Sequence, residues 1–232
     1  MRIAVVGGSG RIGKRVASYA VERGHEVRTF NRRPERVPVE GVTRVQGDVA
    51  DREALTRFFA GADAIVYAAT VFRVDPASYV PGVRNALAAA RDAGVARVVF
   101  PHHYSTLRID GEPVTRLFSA PPAYDVVIPE FKASLRVIRE EAELDWLVVT
   151  APVAVPPYHE VTGDYLVSEG DDLLVPDPTI GVKSAVLSME DFASFSLDQA
   201  VAPTYHRTRV TLCNPYSRWQ KLKDEGVIRA WI

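Results

Sequence analysis

An α/β fold built on a doubly wound parallel sheet is what this chain predicts, and three observations carry that reading. Short apolar runs with strand character alternate with stretches of helical spacing through the first two thirds of the chain. A glycine cluster, Gly7-Gly8-Ser9-Gly10-Arg11-Ile12-Gly13, follows the first apolar run directly. An arginine pair, Arg32-Arg33, closes the second.

The elements follow in order. Ile3-Ala4-Val5-Val6 is apolar on both faces, as a central parallel strand must be. Ile12, Val16 and Ala20 recur at helical spacing, Gly24-His25 breaks the pattern, and residues 26–30 form a second strand. A link without helical periodicity leads to a short strand, Thr43-Arg44-Val45-Gln46-Gly47, a short helix over 51–59 and a buried strand, Ala64-Ile65-Val66-Tyr67-Ala68. A third helix over 79–93 turns Val83, Leu87 and Ala90 inward and ends at Gly94, and Arg97-Val98-Val99-Phe100 is the fifth strand. A fourth helix, 130–143, aligns Phe131, Leu135, Ile138 and Ala142, and Trp146-Leu147-Val148-Val149-Thr150 is the sixth strand, Trp146 reading as core. Each parallel crossover needs a helix to cover one face of the sheet, which makes the arrangement a Rossmann-type one.

Beyond Ala151 the character changes, with prolines at 152, 156, 157, 176 and 178. Tyr165-Leu166-Val167 and Leu173-Leu174-Val175 flank Glu169-Gly170-Asp171-Asp172, which reads as a hairpin. Ser188 ahead of Glu190-Asp191 caps a helix through Gln199, and Arg209-Val210-Thr211-Leu212-Cys213 is the last strand. Ligands of open α/β sheets bind beyond the carboxyl ends of the strands, so residues 151–213 are the expected substrate cover, and His159-Glu160 within it reads chiefly as a solvated loop pair. The expected organisation is one domain over 1–213 with an extension over 214–232, whose Trp219 and Trp231 pack either on the body or across a homodimer interface.

Composition bounds the function. With 232 residues and 47% hydrophobic content the chain can bury a sizeable core. A net charge of −1 gives no general attraction for nucleic acid or acidic membranes. No apolar stretch is long enough to span a bilayer and the first residues run straight into a strand, so a cytoplasmic location is the expectation. The single Cys213 leaves no intramolecular disulfide or cysteine-based zinc site, and the adjacent His102 and His103 diverge too much for a metal site.

The glycine cluster fits a dinucleotide. Gly7 permits a sharp turn out of the strand, Gly10 lets backbone amides approach a pyrophosphate, and Gly13 lets the helix pack close to the sheet. Ser9, Arg11 and Ile12 complete that cradle at a helix N-terminus, where amides and dipole favour negative charge. About 20 residues past such glycines an acidic side chain takes the ribose of NAD, whereas an arginine accommodates the 2′-phosphate of NADP. No Asp or Glu lies between Phe30 and Glu35, so NADP(H) is favoured over NAD(H), with Arg32 the first choice for the phosphate and Arg33 the second.

These motifs, together with Asn31-Arg32, Gly47-Asp48-Val49, Asp92-Ala93-Gly94-Val95-Ala96-Arg97-Val98-Val99, Leu144-Asp145-Trp146 and Ser188-Met189-Glu190-Asp191-Phe192, resemble the atypical short-chain dehydrogenases. The resemblance is closer to the NmrA-like and NADH-flavin-reductase-like branch, which includes biliverdin-IXβ reductase-type proteins, and it covers residues 1–213. It implies that Asp48 and Val49 line the adenine pocket and that Ala68, Ala69 and Thr70 lie along the ribose and nicotinamide. Ordinary short-chain dehydrogenases place a serine after the fifth strand and a Tyr-x-x-x-Lys on the next helix; here Lys132 has Ile128 four residues before it. Where some relatives carry glycines, this chain has His102-His103-Tyr104-Ser105.

Three readings of that segment stand. His102 or His103 donates a proton or orients the substrate, Tyr104 or Ser105 supplies the hydrogen bond, or none takes part. Lys132 reads equally as a ribose contact or an exposed helix-start charge. The expected activity is NADPH-dependent hydride transfer to a small flavin, quinone, enone or carbonyl acceptor. The alternatives are a non-redox isomerisation, dehydration or cyclisation, and a non-catalytic NADP sensor.

Overall fold

The computed structural model describes residues 1–70, 75–117, 124–158 and 160–224. Strand β1 (Arg2–Val6) feeds α1 (Gly13–Glu22), followed by β2 (Glu26–Asn31), β3 (Val42–Gln46), α2 (Arg52–Phe59), β4 (Ala64–Tyr67), α3 (Tyr79–Asp92) and β5 (Arg97–His102). A small hairpin of β6 (Arg108–Ile109) and β7 (Glu112–Pro113) precedes α4 (Tyr124–Glu140) and β8 (Asp145–Thr150). Then come β9 (Leu166–Glu169), α5 (Met189–Val201), β10 (Thr208–Cys213) and α6 (Tyr216–Asp224).

The main sheet has eight strands in the order β3-β2-β1-β4-β5-β8-β10-β9. All pairings are parallel except β10 with β9. The expected α/β Rossmann-type architecture is therefore present. Its chain reversal lies between β1 and β4, the place where such sheets open a ligand crevice.

Alternation along β1 shows how the core is divided. Ala4 and Val6 point into one apolar layer with Phe30, Ile65, Leu87 and Ile138, under α2, α3 and α4. Ile3 and Val5 point into the other, with Val16, Val66, Val149 and Phe192, under α1 and α5. A strand covered on both faces has no polar side to offer, which is why its sequence is continuously apolar.

Three expectations are corrected. Tyr165-Leu166-Val167 does not form a hairpin with Leu173-Leu174-Val175; β9 pairs antiparallel with β10 instead, Val167 opposite Leu212. The turn chemistry at Gly170 is real (φ +108°), but the strand it ends is satisfied by the sheet edge, and Asp172 bridges to Arg108. Helix α4 starts at Tyr124, earlier than residue 130, and stops at Glu140, which leaves Ala142 exposed and off the buried face. Pro129 costs the helix locally because proline lacks the amide hydrogen and restricts its predecessor. Burial of Val127, Phe131, Leu135 and Ile138 along one face outweighs that local cost and carries the helix through Pro129.

The C-terminal helix packs on the body. Trp219 is 3% exposed, meeting Val186 and the edge of Tyr158 at 6.1 Å between ring centroids. Trp231 and His159 lie outside the described residues. Among the described residues no helix is long and apolar enough to cross a membrane.

Candidate functional site

Because β1, β2, β4 and β5 run parallel, their carboxyl ends share one edge of the sheet, and the loops that leave them lie side by side. At β1 the chain turns through Gly7, whose φ of +84° lies in the left-handed region. A Cβ on Gly7 would come within 2.9 Å of the Ala68 carbonyl oxygen and 2.8 Å of the Ala69 amide nitrogen. The loop after β4 thus presses its backbone onto the glycine turn, and the small side chains of Ala68 and Ala69 permit it. The turn is closed by the Gly10 amide donating to the Gly7 carbonyl at 2.9 Å.

Gly13 serves packing. An added Cβ there would lie 2.3 Å from the Gly7 oxygen, an overlap with backbone that cannot be relieved by a rotamer change. At Gly10 an added Cβ would lie 3.1 Å from the Gly7 oxygen and 3.9 Å from the Ala68 oxygen, a tight fit without the overlap found at Gly13. Ser9, Arg11 and Ile12 lie in the same turn, with Ile12 as the residue before the first turn of α1. That first turn carries no acidic side chain, as an anion-binding helix start requires. The cradle therefore has the shape and the electrostatics that fit a dinucleotide pyrophosphate.

Asn31 holds this turn from β2. Its Oδ1 accepts the Ser9 amide hydrogen at 3.0 Å, and its side chain is buried. Arg32 and Arg33 follow it and are exposed, with Gln46 Nε2 donating to the Arg32 carbonyl at 3.4 Å. Asp48 is exposed, its Oδ1 accepting the Ala50 amide at 2.9 Å, and Val49 packs against Gly82 of α3. The residue that fixes this loop is Asn85, whose Nδ2 donates to the Val49 and Ala50 carbonyls, both at 3.0 Å. Thr70 follows Ala69, half-buried, at the limit of the described residues there.

At the end of β5 the two histidines have different environments. His102 is 4% exposed, its Nε2 lies 3.2 Å from Ser134 Oγ, and its ring meets the edge of Phe131. Burial first, then the charge of Arg209, pushes its pKa down to about 3. His103 stacks on Phe131 at 4.8 Å with an interplanar angle of 10°, and lies 4.3 Å from the Tyr104 ring. Burial pushes its pKa down to about 4.

The tautomer of His103 follows from its neighbours. The Ser105 amide hydrogen points at Nδ1 from 3.2 Å, with Ser105 Oγ 3.0 Å away. An amide N–H can only donate, so Nδ1 is unprotonated and the neutral ring carries its hydrogen on Nε2. Burial thus favours the neutral ring of His103, which in this tautomer is a hydrogen-bond donor at Nε2. Tyr104 is half-buried, and burial followed by its neighbour Tyr124 raises its pKa. Ser105 is buried and committed to His103.

The segment 103–105 and the glycine turn therefore share the same sheet edge, and both histidines pack on Phe131 of α4, His102 the more deeply buried. Lys132 is exposed on α4 and Ile128 is half-buried one turn before it, so no tyrosine–lysine pair occupies that helix face. Asn85 and Arg209 were not singled out from the sequence. Arg209 had a signal: a charged residue at the start of an otherwise buried strand. Asn85 had only its place between Val83 and Leu87 on an inward-facing helix.

This is a dinucleotide-binding α/β protein, and sequence comparison narrows the class. The profile of the NAD(P)H-binding family matches residues 7–200, and the chain belongs to that family. It is 32% identical over 170 residues to a 2-alkyl-3-oxoalkanoate reductase of Stenotrophomonas maltophilia, covering 63% of this chain and 51% of that enzyme. The chain thus spans about half the length of that relative. Among solved structures, a "Putative exported protein" of Burkholderia pseudomallei superposes with a TM-score of 0.80 at 25% identity, covering 92% of this chain and 99% of the other. A "putative NADH-flavin reductase" of Streptococcus pneumoniae has the same fold, with a TM-score of 0.73 at 22% identity over 92% of this chain and 99% of its own.

Proposed function

We propose that this protein is an NADPH-dependent reductase that transfers hydride to a small organic acceptor bearing a polarisable oxygen. The observation that supports the reading is the strand order β2-β1-β4-β5, which brings the chain segments carrying the glycine turn, the two exposed arginines and His103 to the same edge of the sheet. A bound reduced nicotinamide supplies the hydride.

The chain's own residues do the rest. The Gly7-to-Gly13 turn and the N-terminus of α1 hold the pyrophosphate, and Arg32, assisted by Arg33, pairs with the 2′-phosphate. Ala68, Ala69 and Thr70 keep the path between cradle and acceptor free of bulk. His103 donates its Nε2 hydrogen to the acceptor oxygen as negative charge builds there, and Tyr104 borders the same position. A neutral imidazole does not give up that hydrogen, so the proton that completes the reduction comes from water. In this reading His102 and Lys132 take no part in the chemistry. A carbonyl acceptor is favoured within the class by the ketoacid reductase relative.

The test is calorimetric titration with NADPH and NADH in parallel, followed by nicotinamide absorbance against a panel of 3-oxo acids, enones, quinones and flavins. Tight NADPH binding with acceptor-dependent oxidation is expected. Binding without oxidation of any acceptor would overturn the reductase reading. It would favour a non-redox reaction or a cofactor sensor, to which the absent tyrosine at Ile128 also points.

A further inference from the structure

Arg209 lies on β10 with its side chain 1% exposed, beside Val210 and Leu212, both wholly buried. A guanidinium in such a place carries a desolvation cost, so what it holds is informative. Its Nε donates to Thr150 Oγ1 on β8 at 2.8 Å. One terminal nitrogen donates to the Thr106 carbonyl at 3.1 Å and to Asp171 Oδ1 at 3.0 Å, and the other to Thr106 Oγ1 at 2.7 Å. The same Asp171 oxygen accepts from Arg139 of α4.

Thr106 is the last residue of the single 3-10 turn, Tyr104–Thr106, that follows His103. Its hydroxyl, while accepting from Arg209, donates to the His103 carbonyl at 3.0 Å. The Leu107 amide closes the turn onto the Tyr104 carbonyl at 2.8 Å. One rigid fork therefore grips the end of the turn through both backbone and side chain, and anchors it to β8 and to the loop after β9. The Asp171 carbonyl reinforces the anchor by accepting the Arg108 amide at 2.8 Å.

We propose that Arg209, held by its counter-charge Asp171, is the positioning residue that sets the attitude of His103 and Tyr104 at the end of β5. The role in turnover rests on the reductase reading; the geometric role does not. Arginine suits the task because its donors lie in one plane at fixed angles and reach three segments at once, which an ammonium group on a flexible stem does not.

The experiment compares Arg209→Lys, Arg209→Met and Asp171→Asn with the wild type by three readouts. These are NADPH affinity, kcat and KM for the best acceptor, and the imidazole nitrogen resonances of His103, which report which ring nitrogen carries the hydrogen. The expected result is NADPH affinity within about twofold, kcat lowered at least tenfold with KM changed less, and a His103 spectrum that shifts from one tautomer to a mixture. Lys at 209, which keeps the charge and loses the fork, is expected to resemble Met, and Asp171→Asn to fall between them and the wild type.

A lowered melting temperature with kcat and the His103 spectrum unchanged would overturn the proposal and leave Arg209 as a brace alone. A loss of NADPH affinity in step with kcat would also overturn it. Should Arg209→Met not fold, Arg209→Lys and Asp171→Asn carry the comparison. If the wild type oxidises NADPH with no acceptor, the reductase reading fails on its own, and the His103 resonances of the variants still decide whether Arg209 sets that side chain.

Discussion

The Ser9 amide donates to Asn31 Oδ1 across 3.0 Å, which ties the glycine turn to the last residue of β2. One strand end therefore carries Asn31, which holds the cradle, directly before the exposed Arg32 to which the proposed function assigns the 2′-phosphate. The two should separate on mutation. If Arg32 pairs with the 2′-phosphate as proposed, Arg32→Ala removes a charge-assisted contact of about 1.5–3 kcal/mol, so NADPH should bind roughly 10- to 100-fold more weakly while NADH changes little. Asn31→Ala should weaken both cofactors alike, because the pyrophosphate cradle is common to them. Parallel titrations check both, and equal losses for Arg32→Ala would sink its assignment.

The glycines should divide in the same way. Gly13→Ala places a Cβ 2.3 Å from the Gly7 oxygen, so it should lower stability by several kcal/mol and take cofactor binding with it. Gly10→Ala meets the Gly7 oxygen at 3.1 Å, a tight contact rather than an overlap, so it should cost less stability than Gly13→Ala while cofactor affinity falls steeply. A Gly10→Ala protein that binds normally would show that this turn is architectural.

Acid should destabilise the protein through its buried histidines. His102 and His103 titrate near pH 3 and 4 in the folded chain and near 6.5 when unfolded, so the unfolded state binds more protons throughout that window. Their contribution is complete above about pH 6.5 and is lost as pH falls toward the folded values, on the order of 2 kcal/mol per pH unit near pH 5 for the pair. Urea midpoints at pH 7.5 and 5.0 should differ accordingly, and the difference should shrink in a His102→Asn, His103→Gln double variant. The turnover profile should show no imidazole limb between pH 6 and 8; an inflection near 6.5 abolished by His103→Gln would contradict the neutral ring.

Asp191 is expected to be the largest single determinant of order in the cover. Its carboxylate accepts from the Thr162 amide and hydroxyl, the Gly163 amide, Ser188 Oγ and Asn214 Nδ2, all between 2.7 and 3.0 Å. Asp191→Ala leaves those donors facing a buried void and should cost about 3–5 kcal/mol by denaturant unfolding. Limited proteolysis should then cut near residues 160–163 in the variant sooner than in the wild type. Neighbouring Glu190 joins Arg15 of α1 at 2.8 Å to the Tyr158 amide at 2.8 Å, so the same helix start also braces the cofactor helix against the cover.

How much of this was legible beforehand depended on whether the signal was local. The Rossmann-type sheet was readable because each central strand is buried on both faces, and that burial writes a continuous apolar run into the sequence. The glycine turn was readable because positive φ and backbone contact admit few residues. The hairpin at 165–175 misled because a turn signal specifies a reversal and not the partner strand. Helix α4 runs from Tyr124 rather than residue 130 because the local cost of Pro129 is outweighed by burial of an apolar face that only the assembled core provides.

By itself the sequence determined the layer architecture, the dinucleotide cradle and the stretch of chain, 102–105, that meets the end of β5. Only the tertiary structure decided how the environments of His102 and His103 differ. His102 and His103 are chemically identical neighbours that both pack on Phe131, and alternation at a strand end brings one to the Ser134 hydroxyl and the other to the Ser105 amide. The same is true of Arg209, 103 residues from Thr106 in the chain and in contact with it through the sheet. Hydrophobic periodicity is a one-dimensional record of burial; the protonation state and aim of a polar side chain are set by neighbours that only folding brings together.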